Sequence, residues 1–334
     1  MAESAGPVFV SGEAVQAVFR WEDAVGALQE AYSRAASESA LPPRTIAHGE
    51  AAVLRTLPAM PPGCRYFGAK MMGIAMNAPS PGVDYVIVLY DRQTSRIAAF
   101  VDATLVTAFR TAATSAAALD RLATPGPARL GVLGSGLEAS THARAFAAVR
   151  PLSEILVFSP RAERREAFAE AVQKDLGVAA RAVDRPEVAV ESADIVLAAA
   201  RAYGERPILH GDWLRPGQTV VSIGSTAPEQ REIDTTVVAK TDFIVSDVVH
   251  EVLYESGDMI AAREAGLDAE DRCYSLNALL MGQIEDQRRA ARLPMFKSVG
   301  GGLQDVVVAG LVLEKALAAG LATPLPIKFQ TKFL

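Results

Sequence analysis

From residue 128 to the middle of the chain, short apolar runs alternate with segments of helical character. "RLGVL" (129–133) is followed by a helical stretch from Ala139 to Val149, and "EILVF" (154–158) by another from Arg161 to Val172. "ADIVLAAA" (193–200), "QTVVSIG" (218–224) and "DFIVSD" (242–247) continue the series. Strands that are apolar on every residue must be buried on both faces, and helices between them supply the cover. The alternation therefore predicts an α/β fold with a doubly wound parallel sheet. A breaker cluster, "TPGPA" (124–128), precedes the series.

The first of these strands runs into "GSGLEA" (134–139). Gly134, Gly136 and Ala139 fit a loop whose glycines admit a pyrophosphate to the backbone, with N–H donors of the following helix behind it. An ordinary tight turn into a helix is the competing reading. At the tip of the second strand an NAD site carries Asp or Glu for the ribose hydroxyls. Here the tip is Ser159, Pro160 and Arg161, with Arg164 and Arg165 close behind. A hydroxyl and a guanidinium suit a 2′-phosphate, so NADP(H) is expected as the preferred cofactor, with NAD(H) possible. The bland alternative is that these arginines decorate a solvated helix start.

The segments on either side have a different character. "GVDYVIVLY" (82–90) and "RIAAFVD" (96–102) flank a polar turn at Asp91–Ser95, which predicts an antiparallel hairpin. Ser11 to Ala36 shows helical spacing at Val15, Val18, Phe19, Ala24, Val25 and Leu28. An alanine-rich helix follows the glycines after Phe296; periodicity alone does not place it. Methionines at 71, 72 and 76 fit a pocket lining or a core. The 334 residues suffice for about two domains, and a net charge of −6 with intermixed signs argues against nucleic acid or an anionic membrane as partner. Cys64 and Cys273 stand apart without metal or redox spacing, the start lacks signal-peptide character, and no apolar run reaches membrane-spanning length, so a cytoplasmic setting is expected. The four histidines, 48, 142, 210 and 250, show no metal-ligand spacing, and no metal is expected.

Seven stretches carry a more specific pattern: "GAKMM" (68–72), "VIVLYDRQTSRIAAFVDATLVTAFRTAA" (86–113), "LGVLGSGLEA" (130–139), "DWLRPGQTVVSIGS" (212–225), "REID" (231–234), "ESGD" (255–258) and "FKSVGGGLQD" (296–305). On these the chain resembles the ornithine cyclodeaminase/μ-crystallin family of nicotinamide-dependent proteins nearly end to end, with "RTAA" and "FKSVG" the most specific. The resemblance implies a Rossmann domain over 116–296. It also implies an α+β substrate-binding and dimerisation domain assembled from 1–115 and 297–334, and hence a homodimer. It implies Lys70 and Arg110 as catalytic groups, and Arg44, Lys70, Arg110, Thr226 and Val299 at the substrate. For the cofactor it implies Arg110, Thr111, Gly134, Gly136, Leu137, Glu138, Ser159, Arg161, Ser222, Ile223 and Ser298.

The residue chemistry agrees with that assignment. An α-imino acid presents a carboxylate beside an electrophilic C=N carbon. Planar, permanently charged forks on Arg44 and Arg110 suit the carboxylate, and a lysine beside the imine can relay a proton. Any one of these residues taken alone reads equally well as a cation snorkelling to solvent. Cyclodeaminases of the family carry an aspartate where this chain has Thr226, and a threonine hydroxyl does not accept a proton near neutrality. The reading is therefore an NADPH-dependent reductase of α-imino acids. Its alternatives are an amino-acid or opine-type dehydrogenase, an ornithine cyclodeaminase, and a non-catalytic NADPH-dependent binder of small molecules.

Overall fold

The computed structural model of the chain describes residues 6–75, 82–201 and 204–330. Met76 lies outside the described residues. The chain divides into two compact units, one of residues 1–110 and 301–334, the other of 111–300.

The first unit starts with β1 (Val8–Val10), α1 (Gly12–Val18) and α2 (Trp21–Tyr32). The spacing that predicts one helix over 11–36 is split at Phe19, which is extended (φ −67°, ψ 138°). No Pro or Gly causes the break. The Phe19 ring instead packs on Trp21 and Phe109, with centroids 4.8 and 4.4 Å away, so tertiary packing overrides local propensity. Strands β2 (Thr45–His48), β3 (Ala52–Ala59), β4 (Tyr66–Ala75), β5 (Val83–Asp91) and β6 (Ile97–Asp102) form an antiparallel meander. The β5–β6 hairpin is the one expected. Asp91 Oδ1 accepts from the backbone N–H groups of Gln93 and Thr94, and this Asx turn sets the reversal. Helix α3 (Ala103–Leu122) carries Arg110 at the end of this unit's first segment.

The second unit is an eight-stranded sheet, every pair parallel. In chain order it runs β7 (Ala128–Leu133), α4 (Leu137–Val149), β8 (Leu152–Phe158), α5 (Ala162–Leu176), β9 (Ala180–Ala182), α6 (Pro186–Glu191) and β10 (Ile195–Ala198). It continues with β11 (Thr219–Ser222), α7 (Thr235–Lys240), β12 (Phe243–Ser246), α8 (Val249–Glu255), α9 (Gly257–Glu264), β13 (Cys273–Ser275), α10 (Leu276–Leu280), α11 (Glu285–Ala290) and β14 (Pro294–Lys297). The spatial order is β13-β12-β14-β11-β10-β7-β8-β9. The winding reverses between β7 and β10, so the loop after β7 sits at the switch point where such sheets bind ligands. The alternation of strand and helix is the one the sequence predicts, but β14 is an addition. Its four residues, "PMFK", slot between β11 and β12 and set Lys297 against the end of β11.

The chain then returns to the first unit as α12 (Gly302–Ala318) and β15 (Thr323–Pro324), completing a seven-stranded sheet of order β15-β1-β6-β5-β4-β3-β2. Leu303 to Gly310 are all buried, the polar Gln304 and Asp305 among them. Gly302 permits close approach: a Cβ there would stand 2.6 Å from the Pro58 carbonyl oxygen. The helix covers the sheet face that carries Leu57, Lys70 and Ile87, which are opposite one another on β3, β4 and β5.

Candidate active site

Two buried polar clusters stand out, one in each unit. In the first, Lys70 projects from β4 beneath α12 and donates to Asp305 Oδ1 at 2.9 Å. Arg110 Nε lies 2.9 Å from the same oxygen, and its Nη1 donates to Gln304 Oε1 at 2.6 Å. Gln304 Nε2 donates in turn to the Tyr32 hydroxyl at 3.0 Å. Lys70 is 2% exposed, Arg110 5% and Asp305 0%. Burial pulls the Lys70 ammonium down to about 8, Arg110 and Arg55 adding to the effect and Asp305 opposing it. Asp305 Oδ2 has no hydrogen-bond partner among the described residues. Two cations thus converge on one carboxylate oxygen in a desolvated place, an arrangement that favours a further anion.

Lys70 and Arg110, both expected at the substrate, thus meet at one oxygen of Asp305. Arg44 is half-buried just before β2, across β3 from Lys70. Met71 and Met72, both half-buried, point to opposite faces of β4, and Met72 shares the face of Lys70.

In the second unit the candidate cofactor residues line the carboxyl ends of the parallel strands. Gly134 follows β7 at φ 129°, and its N–H donates to the Phe158 carbonyl at 2.9 Å. A Cβ on Gly134 would press within 2.6 Å of the Ala199 carbonyl oxygen. Gly136 is different: it has φ −91° and nothing within 4 Å of where a Cβ would stand. Neither the backbone nor packing demands a glycine there, whereas close approach of a bound pyrophosphate does. Gly136 is also the N-cap of α4 and offers no side-chain cap, which leaves the first N–H groups of the helix for a ligand. The loop therefore fits a dinucleotide. Leu137, at the first position of α4, stays 54% exposed, and the Glu138 carboxylate lies 3.7 Å from His142 Nδ1. Burial lowers the His142 ring to about 4, so it remains neutral.

Ser159 is buried at the tip of β8 and accepts from the Ser135 hydroxyl of the glycine loop at 2.9 Å. Arg161 occupies the N-cap position of α5 without a side-chain cap and is exposed; Arg165 Nη1 donates to the Ser159 carbonyl at 3.0 Å. Thr111 is half-buried in α3. Ser222 ends β11 and Ile223 follows it, and the Ser298 N–H donates to the Ser222 carbonyl at 3.0 Å. Ser298 Oγ and the Val299 and Gly300 N–H groups all donate to the Asp247 carboxylate. Thr226 donates through both its N–H and its hydroxyl to Gln230 Oε1, at 2.9 and 3.0 Å.

The sequence does not single out the second cluster. Glu232 is fully buried and accepts from Ala200 N, Ser222 Oγ, Ile223 N and Gly224 N. Lys297 Nζ reaches Ser222 Oγ at 2.9 Å and Asp258 Oδ2 at 3.0 Å, with Lys297 and Asp258 both sealed from solvent. Asp258 Oδ1 accepts from the backbone N–H groups of Glu232 and Ile233. Burial raises the Glu232 carboxyl to about 7, with Lys297 opposing. The cluster braces the ends of β10, β11 and β14. Asp234, the nearby carboxylate of the "REID" stretch, instead caps α7 by accepting from Val237 N, and also bonds His210. Among the described residues no group of three or more His, Cys, Asp or Glu side chains is placed to hold a metal ion.

With this geometry in place, comparison with known proteins defines the class. Residues 6–320 match the ornithine cyclodeaminase/mu-crystallin family, and the chain belongs to it. Ketimine reductase mu-crystallin of Mus musculus is 30% identical over 71% of this chain and 71% of its own. A delta(1)-pyrroline-2-carboxylate reductase of Bacillus cereus is 26% identical over 79% of this chain and 82% of its own. Among solved structures, the Thermococcus litoralis delta(1)-pyrroline-2-carboxylate reductase, in complex with NADH and L-proline, superposes with a TM-score of 0.85. It is 26% identical, covering 95% of this chain and all of that one.

Proposed function

We propose that the chain is an NADPH-dependent reductase of α-imino acids, cyclic or formed from an α-keto acid and an amine. The observation that carries this reading is the buried convergence of Lys70 and Arg110 on one oxygen of Asp305. Such a cation pair suits a substrate carboxylate held beside a C=N bond, and the relatives named above are reductases of such compounds. Arg110, fixed by Gln304 and Asp305, holds the carboxylate, with Arg44 as a second fork. Lys70, lowered to about 8, is mostly protonated near neutrality and supplies the proton to the imine nitrogen, directly or through water.

The glycine loop, the start of α4, Ser222, Ile223 and Ser298 would hold the dinucleotide, with Ser159 and Arg161 at a 2′-phosphate. The reduced nicotinamide supplies the hydride for the imine carbon. Homodimerisation through the unit built from the two chain ends belongs to the same proposal; β2, exposed along its whole length at the sheet edge, supports it. A cytoplasmic setting is supported by the free thiols of Cys64 and Cys273. Among the described residues no helix is long and apolar enough to cross a membrane.

Thr226 favours reduction over cyclodeamination. Ring closure needs a base for the incoming amine, and the hydroxyl of Thr226 is committed to Gln230. Asp234 is occupied as a helix cap and Glu229 is exposed. The test is NADPH oxidation against a panel of cyclic imines and of keto acids with amines, run beside ammonia and proline release from L-ornithine. Imine-dependent oxidation without ammonia release is expected. Robust turnover of ornithine would overturn the reading.

A further inference from the structure

The side chain of Glu232 gathers donors from the carboxyl ends of two neighbouring strands. Its Oε1 accepts from Ala200 N at 3.1 Å, just past β10. Its Oε2 accepts from Ser222 Oγ at 2.6 Å, Ile223 N at 2.9 Å and Gly224 N at 2.8 Å, at and just past the end of β11. The two strands are paired, with Ala198 opposite Ser222, so a single carboxylate closes both ends. The backbone from which it reaches is itself fixed. Glu232 N donates to Asp258 Oδ1 at 2.8 Å, and the Glu232 carbonyl accepts from Ile208 N at 2.7 Å. Gly224 leaves room for the carboxylate: a Cβ there would stand 2.3 Å from Glu232 Oε1. Across β10, a Cβ on Gly134 would stand 3.1 Å from the Ala200 Cβ, so the segment that Glu232 holds packs on the glycine loop. Glu232 is fully buried, whereas Ala200 and Gly224 are half-buried.

Strand order decides which part of a dinucleotide meets these ends. The glycine loop follows β7 and suits the pyrophosphate, while Ser159 and Arg161 at the tip of β8 suit the adenosine end. β10 and β11 lie on the other side of β7 from β8. A dinucleotide that crosses such a sheet at its switch point therefore lays its second nucleotide over β10 and β11. We infer that Glu232 is a positioning residue for the nicotinamide half of the cofactor, holding the ends of β10 and β11 in the shape that this half binds. The inference rests on the dinucleotide reading above. A buried carboxylate satisfied on both oxygens fixes those backbone segments before the ligand arrives. Without it the segments must be ordered on binding, and the affinity of the half that touches them falls. The adenosine end, held at β8, keeps its affinity.

The test is isothermal titration calorimetry of the full chain with NADPH and with adenosine 2′,5′-bisphosphate, which carries the adenosine end and the 2′-phosphate without the nicotinamide half. For a wild type that binds NADH more tightly, NADH and AMP make the same comparison. Glu232→Gln keeps the size of the side chain but turns an NH2 group towards N–H donors, so the tie to β10 or to β11 is broken. Gly224→Ala disturbs the same contact from the other partner, because its Cβ displaces Glu232 Oε1. Each variant is expected to raise the Kd for NADPH by at least about tenfold, the order of one lost hydrogen bond to a charged group, and to leave that for adenosine 2′,5′-bisphosphate within about twofold. Unchanged NADPH affinity in folded Glu232→Gln overturns the inference. An equal loss for both ligands, or loss of folded protein in both variants, also overturns it and makes Glu232 part of the scaffold alone. Each of these results leaves the dinucleotide reading standing. A wild type that binds neither NADPH nor NADH sinks both.

Discussion

Lys70 and Lys297 are both lysines removed from water, and what surrounds each is opposite in sign. Lys70 shares a single oxygen of Asp305 with Arg110, and burial brings its ammonium down to about 8. Lys297 lies against Asp258 and Ser222, Ser222 in turn donates to Glu232, and Arg231 Nε stands 3.4 Å from the other oxygen of Asp258, so here two cations are matched by two carboxylates. A buried charge persists only where it is paired and hydrogen-bonded. The Lys297 cluster meets that condition internally and acts as a brace for the strand ends. The Lys70 cluster meets it with positive charge in excess on one oxygen, which is the condition of a site awaiting an anion. The difference teaches that burial of a lysine does not mark a reactive group; the sign of the charge around it does.

Removing each lysine should therefore have different consequences. Lys297→Met leaves Glu232 buried without its cation and Asp258 with Arg231 alone, and should cost about 3–5 kcal/mol of stability, the usual penalty for breaking a buried pair. Urea denaturation at pH 8 and pH 5 would measure it. The loss should shrink at pH 5, because the Glu232 carboxyl, raised by burial to about 7, is protonated there and needs no cation. A loss below about 1 kcal/mol at pH 8 would show that the cluster is not a brace.

A smaller effect is expected at the cofactor. NADPH should be preferred to NADH by at least about tenfold in kcat/KM, about 1.4 kcal/mol. Arg161→Ala should erode this chiefly through the KM for NADPH. Equal efficiency of the two cofactors in the wild type would remove Ser159 and Arg161 from the site.

The pH dependence sharpens the contrast further. Glu232 has its folded pKa raised from 4.5 to about 7, so the folded state holds the extra proton, and its contribution to stability falls as pH rises across that window. Lys70 has its folded pKa lowered from 10.5 to about 8, so the unfolded state holds the extra proton, and its contribution rises with pH between those values. In the proposed reaction Lys70 gives a proton during reduction. The reductive kcat should fall as pH passes about 8, and the oxidative rate should rise over the same range. A reductive rate independent of pH from 7 to 9.5 would exclude Lys70 as the donor.

Much of this is legible in the sequence. The parallel sheet announces itself because each strand of "RLGVL" type is apolar throughout, and the glycine loop because Gly134 and Gly136 fall between such a strand and a helix. What escapes depends on contacts distant in the chain. β14 is a four-residue strand whose place between β11 and β12 no local pattern encodes. The break at Phe19 comes from an aromatic cluster completed by Phe109. Asp305 and Glu232 look like ordinary carboxylates within motif stretches. Their importance appears when Asp305 meets Lys70, 235 positions away in sequence, and when Glu232 gathers N–H groups from two strand ends.

The central claim is that the Lys70 cluster captures the carboxylate of an imino acid. It is tested most directly by steady-state kinetics of folded Lys70→Ala and Arg110→Ala with an imine that the wild type reduces. Leaving the carboxylate unpaired in a desolvated place costs roughly 2–5 kcal/mol, so each variant should lose about a hundredfold or more in kcat/KM. Retention of more than half the wild-type value by either variant would contradict the account and take that residue out of the site.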